Sequence, residues 1–414
     1  MQGINLTPHW LNAHAKNCCL LIVLLAKFAA AASGQEPADE PEIRAQLATA
    51  EKLLGNAADR GAVLFFLAAT YAQLQDSAKS LANLKQCIAL KEGFDPSGEP
   101  AFASLKEDKD FQQLVEQVHK DFPPVTQAKL AFTTIEKDLV PEGLAYDASI
   151  DAFLLSSLHR KKIVKIPHLG KITDFVPADR DNLLPILGIR IDPVDGTVWS
   201  NSWVDRGKTE LLHFDKNGVL LGRYTLSDDV KHGFNDLVIL PAGDIFLTDT
   251  ADNKVYRFDP KTRNFTEIKL CRELLQPNGI ALTGDGTIIY VADDLGVIQF
   301  KVVTGESIDV DPGPHRTLAG ADGLYWHKQK LIAIQNGIGT PRIAVFDLSE
   351  TGRQVTKATV LEYRSSFTVL PTTGALDGDD FYFIENSQLD NLNGDKVLDL
   401  TRLEPVRIGK LHIP

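Results

Sequence analysis

The sequence predicts a mainly β chain: a six-bladed β-propeller preceded by a small α-helical region. Two observations carry this. A strand–turn–strand pattern recurs six times, as PEGLAYDASIDAFLLSS from Pro141, ILGIRIDPVDGTVWSNS from Ile186, FNDLVILPAGDIFLTDT from Phe234, PNGIALTGDGTIIYVAD from Pro277, ADGLYWHKQKLIAIQNG from Ala321 and TTGALDGDDFYFIENS from Thr372. Two short apolar runs bracketing a Gly/Asp turn are a β-hairpin signal. Aligned on the strand start, the leading residues Glu142, Leu187, Asn235, Asn278, Asp322 and Thr373 are 45, 48, 43, 44 and 51 residues apart. A period in the forties with several strands per unit specifies one propeller blade per repeat.

At the N-terminus, residues 1–34 read as an export signal. Cys18 to Ala26 is an apolar run behind Lys16, followed by small residues from Ala29 to Gly34 suited to cleavage. The run is short and interrupted by Lys27, which argues against a membrane span and for an exported protein, periplasmic or secreted. Signal removal leaves no span, and of the four cysteines only Cys87 and Cys271, expected as buried small hydrophobes. The net charge of −12 disfavours nucleic acid and anionic membrane surfaces.

Residues 35–41 read as a Pro- and acid-rich linker. From 42 to 122 the apolar spacing turns to three and four, with Leu64, Leu67, Ala68, Tyr71 and Leu74 on one helix face and Leu81, Leu84, Cys87 and Ile88 on the next. Asp76-Ser77 between them can turn and cap. The pair Gly61–Gln75 and Ser77–Leu90 resembles a tetratricopeptide helical hairpin, with Tyr71, Ser80, Leu84 and Cys87 in its large/small packing pattern. One such unit cannot bury its faces alone, so it is expected to dock on the propeller or to serve self-association or a protein partner.

Phe122-Pro123-Pro124 ends the helical region, and residues 127–414 allow about 48 per blade, enough for four strands each. Third strands are expected at Ile163–Ile166, Leu211–Asp215, Val255–Asp259, Val297–Lys301, Ile343–Asp347 and Pro405–Lys410. Leu130–Ile135 is the candidate strand that closes the ring from the other terminus.

Leading residues begin the innermost strands, so their side chains converge on one mouth of the central channel. Glu142, Asn235, Asn278 and Asp322 would bring two carboxylates and two amide oxygens to one point. An all-oxygen set selects a hard divalent cation, and Ca²⁺ tolerates an irregular cage better than Mg²⁺.

These residues carry a resemblance. PEGL at Pro141, FND at Phe234, PNG at Pro277 and ADG at Ala321 resemble the motifs of the SMP-30/gluconolactonase/LRE family of six-bladed propellers. The order Glu, Asn, Asn, Asp is also that of the related diisopropylfluorophosphatase and paraoxonase-type enzymes. The resemblance spans the propeller and excludes the helical region. It implies a Ca²⁺-dependent hydrolase of small-molecule lactones or related esters, with Asp322 both ligand and catalytic carboxylate. A cation polarising the lactone carbonyl beside a carboxylate that deprotonates water is coherent chemistry.

The sequence departs from the family where sugar-lactone members carry a substrate-binding arginine two residues before the position of Asn235. Here that residue is Gly233, which is expected to open space and favour a less polar substrate. His232 is a candidate replacement donor, with an exposed loop histidine as the plainer expectation; His159, at a hairpin end, is a candidate rim residue, also expected in an exposed loop. Asp390 to Asp395 resembles part of a calcium loop but lacks its spacing and terminal Glu, and reads as a turn insertion. The alternative to a hydrolase is a non-catalytic binding or scaffold propeller, with a structural calcium ion and a partner-binding helical region.

Overall fold

The computed structural model describes residues 40–168, 171–178, 180–204, 208–366, 368–393 and 396–413. The export signal expected over residues 1–34 lies outside the described residues. Six antiparallel sheets, one per repeat, make up the propeller. The innermost strands are Leu144–Asp147, Ile186–Ile191, Phe234–Ile239, Ile280–Leu282, Ala321–His327 and Gly374–Asp377, in blades 1 to 6. Each sheet then runs outward through a second, third and fourth strand.

The ring closes as the sequence suggested. Lys129–Thr133 pairs antiparallel with Arg407–His412 and becomes the outermost strand of blade 6. Val125–Thr126, just before it, adds an unexpected fifth strand to blade 5 by pairing with Tyr363 and Glu362.

An apolar cluster fills each of the six gaps between neighbouring blades, among them Leu154 against Phe214, Phe246 against Val291, and Ile332 against Phe383. Alternation along each strand supplies both faces of a blade, which is why nearly every second-strand residue is buried. A fully buried phenylalanine such as Phe383 contributes about 1.5–3 kcal/mol through burial alone.

At the axis the inner strands approach so closely that five leading residues are followed by glycine. A Cβ at Gly188 would lie 2.5 Å from Asn235 O, and one at Gly279 would lie 2.8 Å from Leu324 N. Blade 3 is the exception. It carries Asp236 there, buried, with Oδ2 accepting a 2.7 Å bond from Arg190.

Among the described residues four α-helices precede the propeller: α1 (Glu40–Leu53), α2 (Arg60–Gln73), α3 (Ser77–Ala89) and α4 (Lys109–Asp121). Helix α1 already includes Glu40 and Pro41, inside the segment expected as a linker. Asp59, Asp76 and Asp108 cap the other three by accepting first-turn backbone N–H bonds. The α2–α3 pair packs through Phe65 and Leu84, together with Phe102 of the 3-10 turn Pro100–Leu105, onto Ala319 and Ile338 of blade 5. Helices α1 and α2 pack through Leu47 and Leu67 onto Leu275 and Leu295 of blade 4. The apolar faces are thus covered by the propeller itself, and a tetratricopeptide arrangement is not established. Among the described residues no helix is long and apolar enough to cross a membrane.

Candidate metal centre at the channel mouth

Glu142, Asn235, Asn278 and Asp322 stand at equivalent places at the start of the inner strands of blades 1, 3, 4 and 5, each at most 7% exposed. Hydroxyls and amides stitch these starts together around the ring. Thr373 Oγ1 donates to Glu142 O, Thr248 Oγ1 donates to Asn278 O at 2.7 Å, and Gly279 N donates to Ala321 O at 3.2 Å. The rigidity of the interlocked blades is therefore transmitted to the backbone at Glu142, Asn278 and Asp322.

Asn235 Nδ2 donates to Thr250 Oγ1 at 3.1 Å, and that hydroxyl donates to Pro277 O at 2.6 Å, one residue before Asn278. Asp322 Oδ2 accepts a 2.6 Å bond from Asn336 Nδ2, which also donates to Pro371 O at 3.0 Å. Burial and then the neighbouring Asp322 and Asp236 carboxylates push Glu142 well above its usual range. Burial pushes Asp322 up to about 7, with the Asn336 and Asn278 amides pulling back and Asp236 adding to the rise.

Two features test whether these residues fit a cation. Glu142 Oε2, Asn278 Oδ1 and Asp322 Oδ1 are buried oxygens with no hydrogen-bond partner in the protein. Such atoms cost free energy unless something fills their lone pairs. The carboxylates also outnumber the cations. Glu142, Asp236 and Asp322 are three buried carboxyl groups, and Arg190 is the guanidinium that faces one of them. Fully ionised, they would exceed it by two negative charges, which is why Glu142 and Asp322 are raised without an ion and why one divalent ion would match the site, oxygen donors matching Ca²⁺.

The remaining candidates divide. His232 is not the exposed loop histidine expected from sequence. It is 5% exposed, with Nδ1 2.6 Å from Asp249 and Nε2 2.8 Å from Asp228. Burial works against charge on this ring, but the two carboxylates outweigh it and raise its pKa. Both nitrogens are engaged, so the ring has no donor left for a substrate. His232, Asp249 and Asp252 have metal-like spacing, yet Asp249 Oδ1 already accepts from Gly233 N and Asp252 N. This cluster clamps the loop that leads into Asn235.

Gly233 does not open space. A Cβ there would meet the Trp203 ring at 3.0 Å, because the indole occupies the place a side chain would take. Trp203 is buried with Nε1 unpartnered and packs with Val140, Leu158, Leu187 and Leu370. Leu389, Leu392 and Leu403 from the insertion in blade 6 cover this wall. Within the partial calcium loop, Asn391 bonds Asp399 through both ends of its amide, and Gly394 and Asp395 lie outside the described residues. His159 is half-buried in the turn after Ala152–Ser157 rather than in the exposed loop expected, and Cys271 is exposed rather than buried because it falls in a bend outside the strands.

Sequence reasoning missed Asp236, Thr250, Asn336 and Trp203. Asp236 had a signal, as the one break in the glycine column. The other three lie at second-strand ends, and their partners belong to other strands.

The chain is a six-bladed β-propeller. It is similar to a gluconolactonase from Xanthomonas campestris, at 16% identity over 71% of this chain and 88% of that one, with a TM-score of 0.45. It is also similar to the calcium-binding protein regucalcin from Agrobacterium tumefaciens, at 14% identity over 69% and 94%, TM-score 0.47. A third similar structure is a catalytically inactive virginiamycin B lyase from Staphylococcus aureus with quinupristin, at 18% identity over 70% and 99%, TM-score 0.49. No protein-family model and no curated protein matches the chain. Identities this low transfer neither ligand nor reaction.

Proposed function

We propose that the chain is an exported, calcium-dependent hydrolase of lactones or related esters. Glu142, Asn235, Asn278 and Asp322 would hold the ion. The observation that carries this reading is the set of three orphaned buried oxygens among three buried carboxyl groups faced by one guanidinium. Bound there, the ion would polarise a carbonyl and gather the negative charge that develops on it.

The chain's own groups divide the remaining work. Asp322 keeps Oδ1 without a protein partner while Asn336 secures Oδ2, so one carboxylate oxygen can take a proton from attacking water. Leu187 and Trp203 bring an apolar wall to the blade 1–2 side of the mouth, which excludes water and suits an alkyl-bearing substrate. The test is a hydrolysis screen over lactones, aryl esters and phosphotriesters, with calcium and with chelator. Calcium-dependent turnover of a lactone or ester, lost in Asp322→Ala, is the expected result.

One feature favours a second reading, a binding propeller with a structural ion. The four residues are nearly inaccessible, while a cleft of 760 Å³ lies between helix α1 at Ala45, Gln46 and Thr49 and the blade 3–4 rim at Asp252 and Glu273. Calcium binding without turnover of any of the three substrate classes would support it.

A further inference from the structure

Resting on the metal reading above, we infer that Thr250 and Asn336 are positioning residues: each fixes which atom of a neighbouring side chain faces the channel, by borrowing a proline carbonyl from the next blade. The two occupy the same place in blades 3 and 5. Thr250 is one residue beyond Asp249, which pairs opposite Phe234, and Asn336 is one beyond Gln335, which pairs opposite Ala321; Phe234 and Ala321 each immediately precede a leading residue. From there each reaches the leading residue of its own blade and a proline carbonyl of the next, Pro277 one residue before Asn278 and Pro371 two before Thr373.

The direction of each bond is forced. Pro277 O carries no hydrogen and lies 2.6 Å from Thr250 Oγ1, so the hydroxyl proton must sit between them. Thr250 Oγ1 then has only lone pairs to offer Asn235, and the Asn235 atom facing it must be the NH₂. An amide has one nitrogen and one oxygen, so Asn235 is left with its oxygen for the channel. In blade 5, Asp322 Oδ2 and Pro371 O are both acceptors, so the Asn336 atom between them must be the NH₂, which spends a hydrogen on each. Asp322 Oδ2 is thereby occupied, and Oδ1 is the oxygen left without a partner.

Without Thr250 the Asn235 amide could rotate and present NH₂ hydrogens to a cation. Without Asn336 the Asp322 carboxylate could swing away from the axis. Partners of this kind, which orient ligands without touching the metal, typically change affinity by about 10–100-fold when removed.

The experiment measures calcium affinity by titration calorimetry in the natural protein, in Thr250→Val, Thr250→Ser and Asn336→Leu, and in Thr250→Val combined with Asn235→Ala. Thr250→Val keeps the shape and removes the hydroxyl, and its calcium affinity should fall about 10–100-fold. Thr250→Ser should restore affinity to within about threefold, since it returns the hydroxyl. In the Asn235→Ala background Thr250→Val should cost nothing further, because the group it orients is gone. Thr250→Val binding calcium as tightly as the natural protein, or costing as much with Asn235 removed as with it present, overturns the inference. Melting curves in chelator establish that each variant folds; if Thr250→Val does not, the serine and Asn336→Leu arms carry the same test. Neutron diffraction from calcium-free crystals gives a reading independent of the ion. Asn235 ND₂ facing Thr250 is expected, and its oxygen facing Thr250 refutes the inference even if calcium binds. If the natural protein binds no calcium but shows this orientation, the metal reading fails and the positioning stands.

Discussion

Asp59 and Thr317 are 258 residues apart in sequence and 2.7 Å apart in the fold, Thr317 Oγ1 donating to Asp59 Oδ2. The same oxygen accepts Leu318 N at 3.0 Å, and the other carboxylate oxygen caps helix α2 at Ala62 N. One buried side chain therefore both starts the helix and docks it on blade 5. Asp59→Ala removes a cap worth about 0.5–2 kcal/mol. It also strands buried donors at about 1–3 kcal/mol. The expected loss is about 2–4 kcal/mol, expressed as faster hydrogen exchange over residues 60–89 with the propeller strands still protected. Equal loss of protection across the propeller would place Asp59 in the global core instead.

The same interface makes docking pH-dependent. Burial pushes Asp59 up to about 6, Glu99 to about 7 and Glu92 to about 8, Arg342 drawing Glu92 partly back. Acids with raised pKa values bind more protons in the folded state than unfolded, so their stabilisation is complete below about pH 4 and is lost as pH rises through 6 to 8. The melting temperature, measured with calcium saturating so that the axial carboxylates do not contribute, should fall between pH 5 and pH 9. Glu92→Gln should flatten the upper part of that fall. A melting temperature that rises over this range contradicts the assignment.

The metal reading has a thermodynamic signature. An ion bound only by the folded state stabilises it by about 2.7 kcal/mol at a hundred times its dissociation constant. Chelator should lower the melting temperature of the natural protein, and Asp322→Ala should melt alike with and without chelator. Asp322→Asn keeps an oxygen for the ion but loses the proton acceptor, so it should retain part of the calcium shift while losing turnover. A natural protein whose melting curve ignores chelator, with no metal by elemental analysis, removes the site.

Much of this architecture was legible because it is written locally and repeated. Six hairpins with a common register gave the blades, and Lys129–Thr133 met Arg407–His412 because a ring needs a closing strand. The candidate residues were legible through their shared register. What escaped notice depends on contacts between distant segments. Neither Gly233 nor Trp203 signals alone that one fills the other's space, and nothing near His232 announces Asp249, 17 residues on. Likewise Thr250 reads as an ordinary strand end until Pro277 O lies against it.

The Trp203–Gly233 contact sets the last prediction, on specificity. With a Cβ at 233 already 3.0 Å from two indole carbons, Gly233→Arg must displace a fully buried tryptophan. Overpacking of this kind costs about 1–3 kcal/mol, so the single variant should melt earlier and gain no activity. Trp203→Ala alone opens a cavity at about 3–5 kcal/mol. The double variant should be less destabilised than the two losses combined, since the arginine stem can occupy the vacated volume. Its guanidinium would replace one indole N–H and an apolar ring with a fork of donors suited to hydroxyls. The natural protein should therefore prefer an alkyl-substituted γ- or δ-lactone to an aldonolactone, by the modest margin that apolar pockets give, about 1–3 kcal/mol per methylene. In the double variant the preference should move toward the aldonolactone. The comparison is of kcat/KM for the two lactones in all four proteins, with melting temperatures alongside. A natural preference for the sugar lactone, or a Gly233→Arg variant as stable as the natural protein, would show that the indole neither fills that space nor sets the polarity of the wall.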